Sequence, residues 1–505
     1  MGQDSKLLAG TCTLGSPDSY LSRLRERAPR LSIYVAGERV EDPASHTVIR
    51  PSVQVISRTY ELALQERYRG ILTAKGLRGD EVNRLVHVEQ SVEDLLARAE
   101  AQRILNSAIG NCNYRCTGHD GINALFAVTY EVDQARGTDY HRRFLAWLEA
   151  VQAQDLAVET AMTDVKGNRS MRPSEAVKSN PWSYVHVVER RDDGIVVRGA
   201  KMHITGAAVA DEVLVVPTRA LRPEEGDFAV AFAFRPDFKG VHFVASWHPM
   251  DVMKRVASEL GVEIDYPLPF GHRNNYLIIF DDVFIPRERV FMDGEAEFAG
   301  RLVEYFVDHH RAAGGPCKAG FADVILGASA LLADANGALK ASYVQDRLVE
   351  IARHAEVMYA TGLAAMVKGW RHPSGAYIPD ARLANVAKLE AVEHLKEAVA
   401  AAADIAGGIA VNAPSARDLA IPGLGQKVAE AVRANEAYTA EDRLRAARLV
   451  QLWTAGPHLV GLVQGGGPPA TQWAYLRADL SSRLDDLMRR AAELAGVRGE
   501  GQPRS

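Results

Sequence analysis

The sequence is poor in cysteine, with four in 505 residues. So few cysteines cannot form the disulfide framework of a secreted domain, and in a reducing compartment grouped cysteines more often serve metal binding or catalysis. There is no run of about 18 apolar residues that would span a membrane. The N-terminal segment has no basic stretch followed by an apolar core, as a secretory signal would. We therefore expect a cytoplasmic protein with no membrane partner.

The sequence also lacks a strong excess of charge of either sign. It has 59 Lys and Arg against 64 Asp and Glu, which gives a formal net charge of -5. This balance argues against a nucleic-acid partner and favours a small-molecule ligand. Hydrophobic residues make up 47% and charged residues 24%, as is typical of a soluble globular protein. The length exceeds what one hydrophobic core usually serves, so two or three domains are expected.

Hydrophobic periodicity divides the chain into three zones. Helical spacing dominates residues 50–150, where Val92, Leu95 and Ala99 share one stripe. Short β-branched runs follow over 155–295, with a hairpin turn at Asp193-Gly194, and favour an antiparallel barrel or sandwich over a Rossmann sheet. Long helical patterns return from 296. The sequence predicts an α+β fold with a mostly helical N-terminal domain (1–152), a central antiparallel β domain (153–295) and a C-terminal helical bundle (296–505).

Three of the cysteines lie in two polar, glycine-containing motifs. Cys112 and Cys116 occur in "NCNYRCTGHDGINAL", four positions apart, and would share a face if they lay on a continuous helix. His310 precedes Cys317 by seven positions, on a helical segment that we expect to break at Gly314-Gly315-Pro316. Three thiolates and an imidazole suit a tetrahedral zinc site or a 4Fe–4S cluster, although the His310–Cys317 gap fits zinc modules poorly. The alternative is that the thiols are small buried apolar groups.

Several longer blocks resemble the 4-hydroxybutyryl-CoA dehydratase and 4-hydroxyphenylacetate 3-hydroxylase family. They are YVAGERVEDPASH (34–46), MTDVKGNRSMRP (162–173), DGIVVRGAKMHITGA (193–207), FDDVFIPRERVFMDGE (280–295), DIAGGIAVNAPSARDL (404–419) and GGGPPATQ (465–472). The hydroxylases share most of these blocks but lack the cysteines. The dehydratases have both RCxGxDxxNAL, here at 115–125, and the His-x6-Cys-Lys pattern of 310–318. The chain therefore resembles the dehydratase branch more closely.

The resemblance implies an acyl-CoA-dehydrogenase-like subunit that forms a homotetramer, a dimer of dimers, with FAD and a 4Fe–4S cluster. The implied cluster ligands are Cys112, Cys116, His310 and Cys317. The implied flavin-binding residues are Thr163, Asp164, Lys166, Gly167, Asn168, Arg169, His203 and Thr205. A neighbouring subunit's Asp404, Gly407 and Gly408 would approach the same cofactor. A flavin needs hydrogen-bond donors at its ring and glycine where main chain approaches closely.

The resemblance also implies that His310 is both iron ligand and base, and that Lys318 tunes the charge beside Cys317. The chain departs from the family elsewhere. Tyr114 replaces a glutamine, no tyrosine lies between His310 and Cys317, and two family glutamates are missing near 272–275 and at Ala470. Acid–base chemistry needs a titratable group within reach, so these losses indicate a rebuilt substrate pocket. Candidate replacement acids or bases are Tyr114, His119, His272 and His309.

Two enzyme classes follow, with a non-catalytic homologue as the third alternative. One is a flavin and iron–sulfur lyase or isomerase with no net redox change, for which an acyl-CoA is a candidate substrate. The other is a monooxygenase that hydroxylates a phenol with reduced flavin, in which the cysteines would be vestigial or bind zinc. The first predicts a brown protein with about four irons per chain. The second predicts a colourless protein that consumes oxygen.

Overall fold

The computed structural model describes residues 13–247, 249–262, 265, 273–454, 465–495 and 497. The N-terminal part is mainly helical, with α1 (Pro17–Arg27), α2 (Arg50–Ala63), α3 (Val92–Ile109), α4 (Cys116–Arg136) and α5 (Tyr140–Gln154). Two short hairpins, β1 (Ile33–Val35) with β2 (Glu38–Arg39) and β3 (Thr73–Lys75) with β4 (Glu81–Asn83), lie between helices. The Ser91 side chain caps α3, and Gly110 ends it in the left-handed conformation (φ 67°).

The central part forms two packed sheets. Its elements are β5 (Val158–Ala161), α6 (Pro173–Ser179), β6 (His186–Arg191), β7 (Gly194–Thr205), β8 (Glu212–Val215), β9 (Val230–Phe234), β10 (Val241–Ala245), α7 (Pro249–Glu259), β11 (Asn275–Pro286) and β12 (Val290–Asp293). The strand orders are β2-β1-β10-β11-β7-β6 and β12-β9-β8-β5. The predicted hairpin is confirmed, since Arg191 pairs with Gly194. Most pairs are antiparallel as expected, but β1–β10 and β5–β8 are parallel.

The C-terminal part is a helical bundle. It contains α8 (Ala296–Ala335), α9 (Ser342–Val367), the hairpin β13 (Trp370–Arg371) and β14 (Tyr377–Ile378), α10 (Ala381–Ala406), α11 (Ile409–Asn412), α12 (Gly425–Val432), α13 (Ala440–Thr454) and α14 (Pro469–Ala495). Helix α8 is long and apolar enough to cross a membrane, but 61% of its most apolar window is buried within the molecule, as in a core helix.

The expected break at Gly314-Gly315-Pro316 is wrong, because α8 continues through all three residues. Proline usually kinks a helix, since its ring meets the carbonyl of the residue four positions earlier. Here Gly315 of α8 and Gly362 of α9 allow the two helices to pack closely. A Cβ on Gly315 would lie 2.2 Å from the Met358 carbonyl oxygen, and one on Gly362 would lie 2.4 Å from Pro316 Cδ. The close packing of α8 against α9 therefore requires glycine at positions 315 and 362.

The continuity of α8 changes how His310 and Cys317 relate. Seven residues make almost two full turns, so the two side chains leave one face of the same helix, about 10 Å apart along its axis. Helix α4 packs against α8 and contributes Cys116 and Asp120, which are one turn apart on α4. The two helices thus bring together residues almost two hundred positions apart in the sequence.

Candidate active site

Cys112 and Cys116 do not lie on one continuous helix, which was the condition for them to share a helix face. Cys112 is in the turn after α3, and Cys116 is the first residue of α4. The turn is held by Asn113, whose side-chain oxygen accepts the Cys116 backbone N–H at 3.1 Å, and by Tyr114 in the left-handed conformation (φ 66°). The thiols still meet. Their mutual hydrogen bond lowers the pKa of Cys112 and raises that of Cys116.

Cys317 joins this pair from α8. All three thiols are buried, and the charge of Cys317 acts on Cys116. Burial raises the pKa of Cys317, and the Lys318 ammonium, whose Nζ lies 3.8 Å from Cys317 Sγ, opposes that rise. Within the described residues, no three His, Cys, Asp or Glu side chains converge closely enough to hold a single metal ion. His310 and Cys317 are separated by almost two turns of α8, a wider spacing than the ligands of a single ion need.

His310 is fixed by a carboxylate. Its Nδ1 lies 2.6 Å from Oδ2 of Asp120, and its ring stacks on Phe306 with centroids 6.1 Å apart. The glycine turn before α14 covers the ring, because a Cβ on Gly466 would lie 3.0 Å from His310 Cδ2 and 3.5 Å from Nε2. Arg311 anchors this turn by donating to the Gly466 carbonyl at 3.4 Å. The imidazole is therefore held at Nδ1, on its ring face and at its edge.

A buried charge network lies beneath His310. Arg98 hydrogen-bonds Asp120 and lies 3.2 Å from Glu89 Oε2, while His309 Nδ1 lies 2.8 Å from the same Glu89 oxygen. Burial would raise the pKa of Glu89, but Arg98, His119 and His309 hold it far below its usual range. Burial lowers the pKa of His119 to about 3, so that imidazole is neutral. Both candidate histidines are thus neighbours of a buried glutamate, and their role as acids or bases stays a prediction.

Tyr114 is fully buried and its hydroxyl already has partners. Tyr114 Oη lies 3.3 Å from Ser52 Oγ and accepts the Asn274 backbone N–H at 3.4 Å. Burial raises its pKa. These bonds tie the cysteine turn to α2 and to the start of β11, and its predicted catalytic role remains untested. The fourth candidate, His272, lies outside the described residues.

The two predicted flavin segments, 163–169 and 203–205, lie side by side. The Thr163 carbonyl accepts the Met202 N–H at 2.8 Å, and the buried Asp164 carboxylate lies 2.9 Å from Lys201 Nζ. Lys166 and Gly167 both have positive φ (71° and 55°), which turns the chain sharply. The Asp164 side chain therefore anchors the segment to β7, whereas the predicted flavin contact of Asn168 and Arg169 falls on exposed residues.

Three basic side chains, Lys166, Arg169 and Arg273, form a positive edge between the flavin segments and the cysteines. Burial lowers the pKa of His203, and the charges of Lys166, Arg169 and Arg273 lower it further. The charge of Arg273 also lowers the pKa of Cys112, so this residue influences both the flavin segments and the cysteines. The sequence analysis missed Arg273, which carries no motif signal. Thr205 donates to Asn275 Oδ1 at 2.7 Å across the paired ends of β7 and β11.

Asp404, Gly407 and Gly408 lie exposed where α10 ends. Asp404 forms an ion pair with Arg347 of α9 at 3.2 Å, and Gly407 has φ 57° between α10 and α11. Their predicted approach to a neighbouring subunit's flavin stays a prediction.

Sequence reasoning also missed two buried carboxylates, Asp120 and Glu159. Asp120 could have been found, because it follows Cys116 by one helical turn. Glu159 on β5 accepts the Thr117 hydroxyl at 2.6 Å through Oε2, while Oε1 has no hydrogen-bond partner among the described residues. A Cβ on Gly206 would lie 3.2 Å from that free oxygen. Burial raises the pKa of Glu159 well above its usual range, and the charge of Cys112 adds to this.

Family models describe most of the chain. The model of the 4-hydroxyphenylacetate 3-hydroxylase N-terminal region matches residues 16–292, and the model of its C-terminal region matches 299–493. The "4-hydroxybutyryl-CoA dehydratase/vinylacetyl-CoA-Delta-isomerase" of Clostridium aminobutyricum is 38% identical over 91% of this chain and 95% of its own length. The 4-hydroxyphenylacetate 3-monooxygenase oxygenase component of Thermus thermophilus is 30% identical over 72% of each chain.

Solved structures agree with this relationship. An oxygen-tolerant archaeal 4-hydroxybutyryl-CoA dehydratase from N. maritimus matches with a TM-score of 0.91 at 35% identity, covering 98% of this chain and 97% of the other. The oxygenase component of 4-hydroxyphenylacetate 3-monooxygenase complexed with FAD matches with a TM-score of 0.79 at 25% identity, covering 95% and 99%. The order of helical, β and helical parts is the expected one. The chain is an enzyme of the 4-hydroxybutyryl-CoA dehydratase and 4-hydroxyphenylacetate 3-hydroxylase family.

Proposed function

We propose that this enzyme is an FAD- and 4Fe–4S-dependent dehydratase and isomerase that acts on a hydroxyacyl-CoA thioester. The observation that carries the proposal is the grouping of Cys112, Cys116, Cys317 and His310, the cysteine–histidine site, where α4 meets α8. The 38% identical relative is named for this dehydration and isomerisation. The monooxygenase relatives belong to the same family but are less similar to this chain.

The surroundings of the cysteine–histidine site suit an anionic cluster. Three thiolates bring negative charge into a buried region, and Lys318, Lys388 and Arg273 all act to lower the pKa values of its thiols. Buried anions need nearby cations or hydrogen-bond donors to offset their desolvation. The donor set of three cysteines and one histidine is also compatible with iron–sulfur ligation.

The protein groups divide the work of positioning and proton transfer. When bound, the flavin and cluster would supply one-electron chemistry and a Lewis acid for the leaving hydroxyl. In the state in which it does not bind iron, His310 Nε2 would accept a proton from substrate carbon, and the Nδ1–H donated to Asp120 would stabilise the resulting positive charge. Lys166 and Arg169 of the positive edge would hold FAD phosphates. The glycine turn around Gly466 would exclude water from the imidazole.

The first test is anaerobic purification followed by iron, sulfide and flavin analysis. We expect brown protein with about four irons and one FAD per chain. Cys317→Ala should lose the brown chromophore and most of the iron, because one thiolate of the set is gone. Cys12→Ala, which removes the cysteine outside the set, is the matched control and should keep both. Wild-type protein without iron, or a Cys317→Ala variant that retains its iron, contradicts the proposal.

Turnover tests the substrate class. Incubated anaerobically with 4-hydroxybutyryl-CoA or vinylacetyl-CoA, the enzyme should form a conjugated butenoyl-CoA, with release of water from the first and no loss of atoms from the second. The missing family glutamates predict slower turnover of these two thioesters than of the enzyme's own hydroxyacyl-CoA. No product from any hydroxyacyl-CoA in iron-loaded protein rules out this substrate class.

A phenol monooxygenase is the second candidate, supported by the likeness to an FAD-complexed 4-hydroxyphenylacetate 3-monooxygenase. That function predicts oxygen uptake with reduced flavin and 4-hydroxyphenylacetate, and turnover that survives Cys317→Ala. The two assays separate the candidates directly.

We also propose a cytoplasmic homotetramer. Helix α14 leaves large apolar side chains exposed on a single chain, including Trp473, Leu480, Leu484, Leu487 and Met488. Such a contiguous apolar surface is typical of a subunit interface.

A further inference from the structure

Asp120 is the buried carboxylate closest to His310, and its hydrogen-bond partners hold its side chain in one orientation. Its side chain is fully buried. Oδ1 accepts a hydrogen bond from Arg98, and Oδ2 lies 2.6 Å from Nδ1 of His310. Arg98 is held in turn by Glu89, at 3.2 Å from Oε2. Each oxygen of Asp120 thus has a separate partner, and neither partner can move without leaving a buried charge unpaired.

The chemistry of this arrangement fixes the tautomer of His310. An ionised carboxylate only accepts hydrogen bonds, and the Arg98 guanidinium keeps Asp120 ionised by lying directly against it. Nδ1 of His310 must therefore carry a hydrogen, and in the neutral imidazole this leaves the lone pair on Nε2. Histidine ligands of metals commonly donate their second ring N–H to a carboxylate in this way, and the carboxylate sets both ring orientation and ligand strength.

We propose that Asp120 is the positioning residue that turns Nε2 of His310 into an iron ligand, with Arg98 and Glu89 holding Asp120 in place. This inference rests on the proposed iron–sulfur function. Cys116 and Asp120 lie one turn apart on α4, so one helix face supplies a cluster ligand and the group that orients another. Helix α8 presents the facing pair, Cys317 and His310.

The test is Asp120→Asn. The asparagine can still accept from Arg98 through its oxygen, but it offers an N–H2 group to His310. Nδ1 must then accept, the hydrogen moves to Nε2, and the lone pair that would bind iron is lost, as when the aspartate of a serine-protease triad is replaced by asparagine. We expect iron to fall from about four to about three atoms per chain, with the paramagnetic resonance signal of a 3Fe–4S cluster, and turnover to fall about 10- to 100-fold.

Two controls separate orientation from folding. Asp211→Asn removes a buried, arginine-paired carboxylate away from the cysteines and should keep four irons. Asp120→Glu, which restores a carboxylate, should recover part of the fourth iron. Asp120→Asn protein that is folded by circular dichroism and retains four irons with an unchanged spectrum overturns the proposal.

A second measurement works whether or not iron binds. In cluster-free protein carrying ¹⁵N-labelled histidine, the ring nitrogen shifts of His310, assigned with His310→Gln, report which nitrogen carries hydrogen. We expect the Nδ1–H form in the unmodified chain and the Nε2–H form in Asp120→Asn. An Nε2–H form in the unmodified chain overturns the proposal even if Asp120→Asn does not fold. A wild-type protein without iron that shows the Nδ1–H form refutes the proposed function and leaves the orienting role of Asp120 supported.

Discussion

At the scale of single residues, the site is built from buried polar side chains. Some of its carboxyl groups have an oppositely charged partner beside them, and one does not. Asp120 and Glu89 each have a cation beside them, whereas Glu159 has only the Thr117 hydroxyl on one oxygen. A buried carboxyl group without a cation favours its neutral form, because the charged form loses its hydration. Burial therefore raises the pKa of Glu159, which lies between Cys112 and Gly206, well above its usual range.

Replacing Glu159 with glutamine should make the protein more stable at alkaline pH. The pKa of Glu159 is raised in the folded state, so its contribution to stability is present below the unfolded pKa near 4.3 and is lost as pH rises. A glutamine at this position has no such loss and can still accept from Thr117. We expect the Tm of Glu159→Gln to exceed that of wild type by about 2 °C or more at pH 8 and to match it near pH 4.5.

The matched control is Glu212→Gln on neighbouring strand β8. Glu212 pairs with Arg289 at 2.7 Å, so its loss should lower the Tm at pH 8. A fall in Tm for Glu159→Gln at pH 8 would show that Glu159 is charged and paired in the folded protein.

At the scale of elements, the contact between α8 and α9 decides where His310 and Cys317 point. Pro316 remains within α8 because Gly362 of α9 leaves room for its ring. The sequence pattern GGP predicted a chain break, since proline and glycine are the strongest local signals of turns. Close packing overrode that local preference, and helix continuity then placed His310 and Cys317 on one face of α8.

Gly362→Ala should destabilise the enzyme by about 1–3 kcal/mol. The added methyl would lie 2.4 Å from Pro316 Cδ and 2.7 Å from the Ala312 carbonyl oxygen, and overpacking of a tight interface carries this cost. Gly327→Ala in α8 is the control. It meets nothing within 4 Å, so alanine's better helix propensity should leave stability unchanged or raise it by up to about 1 kcal/mol. Urea unfolding of both variants measures the difference; equal stability would show that α8 and α9 separate easily.

At the scale of the whole molecule, a single chain leaves apolar surface that an assembly would cover. The exposed face of α14 is one part, and Val252, Met253 and Val256 on α7 form another. Soluble monomers rarely keep apolar patches of this kind. Gly407 and Gly408 are also exposed on the single chain. The family resemblance predicts that they meet a neighbouring subunit's flavin.

Charge on the α14 face should dissociate the proposed tetramer. Leu484→Glu combined with Met488→Glu places two carboxylates one turn apart on that face, and burying them in an interface would be strongly unfavourable. Sedimentation velocity should show dimers or monomers in place of a tetramer. Ser482→Glu, on the opposite side of α14, should leave the assembly intact. A double variant that still sediments as a tetramer would place the interface elsewhere.

The sequence by itself determined the order of helical, β and helical regions, the Asp193-Gly194 hairpin and the family, because these depend on local periodicity and on motifs contiguous in the chain. It also singled out the cysteines and His310. Only the tertiary structure decided that Cys112 lies in a turn, that α8 is continuous, and that Asp120, Arg98 and Glu89 support His310. Those features depend on contacts between α3, α4, α8 and α9, whose energies come from burial and close packing that no local pattern records.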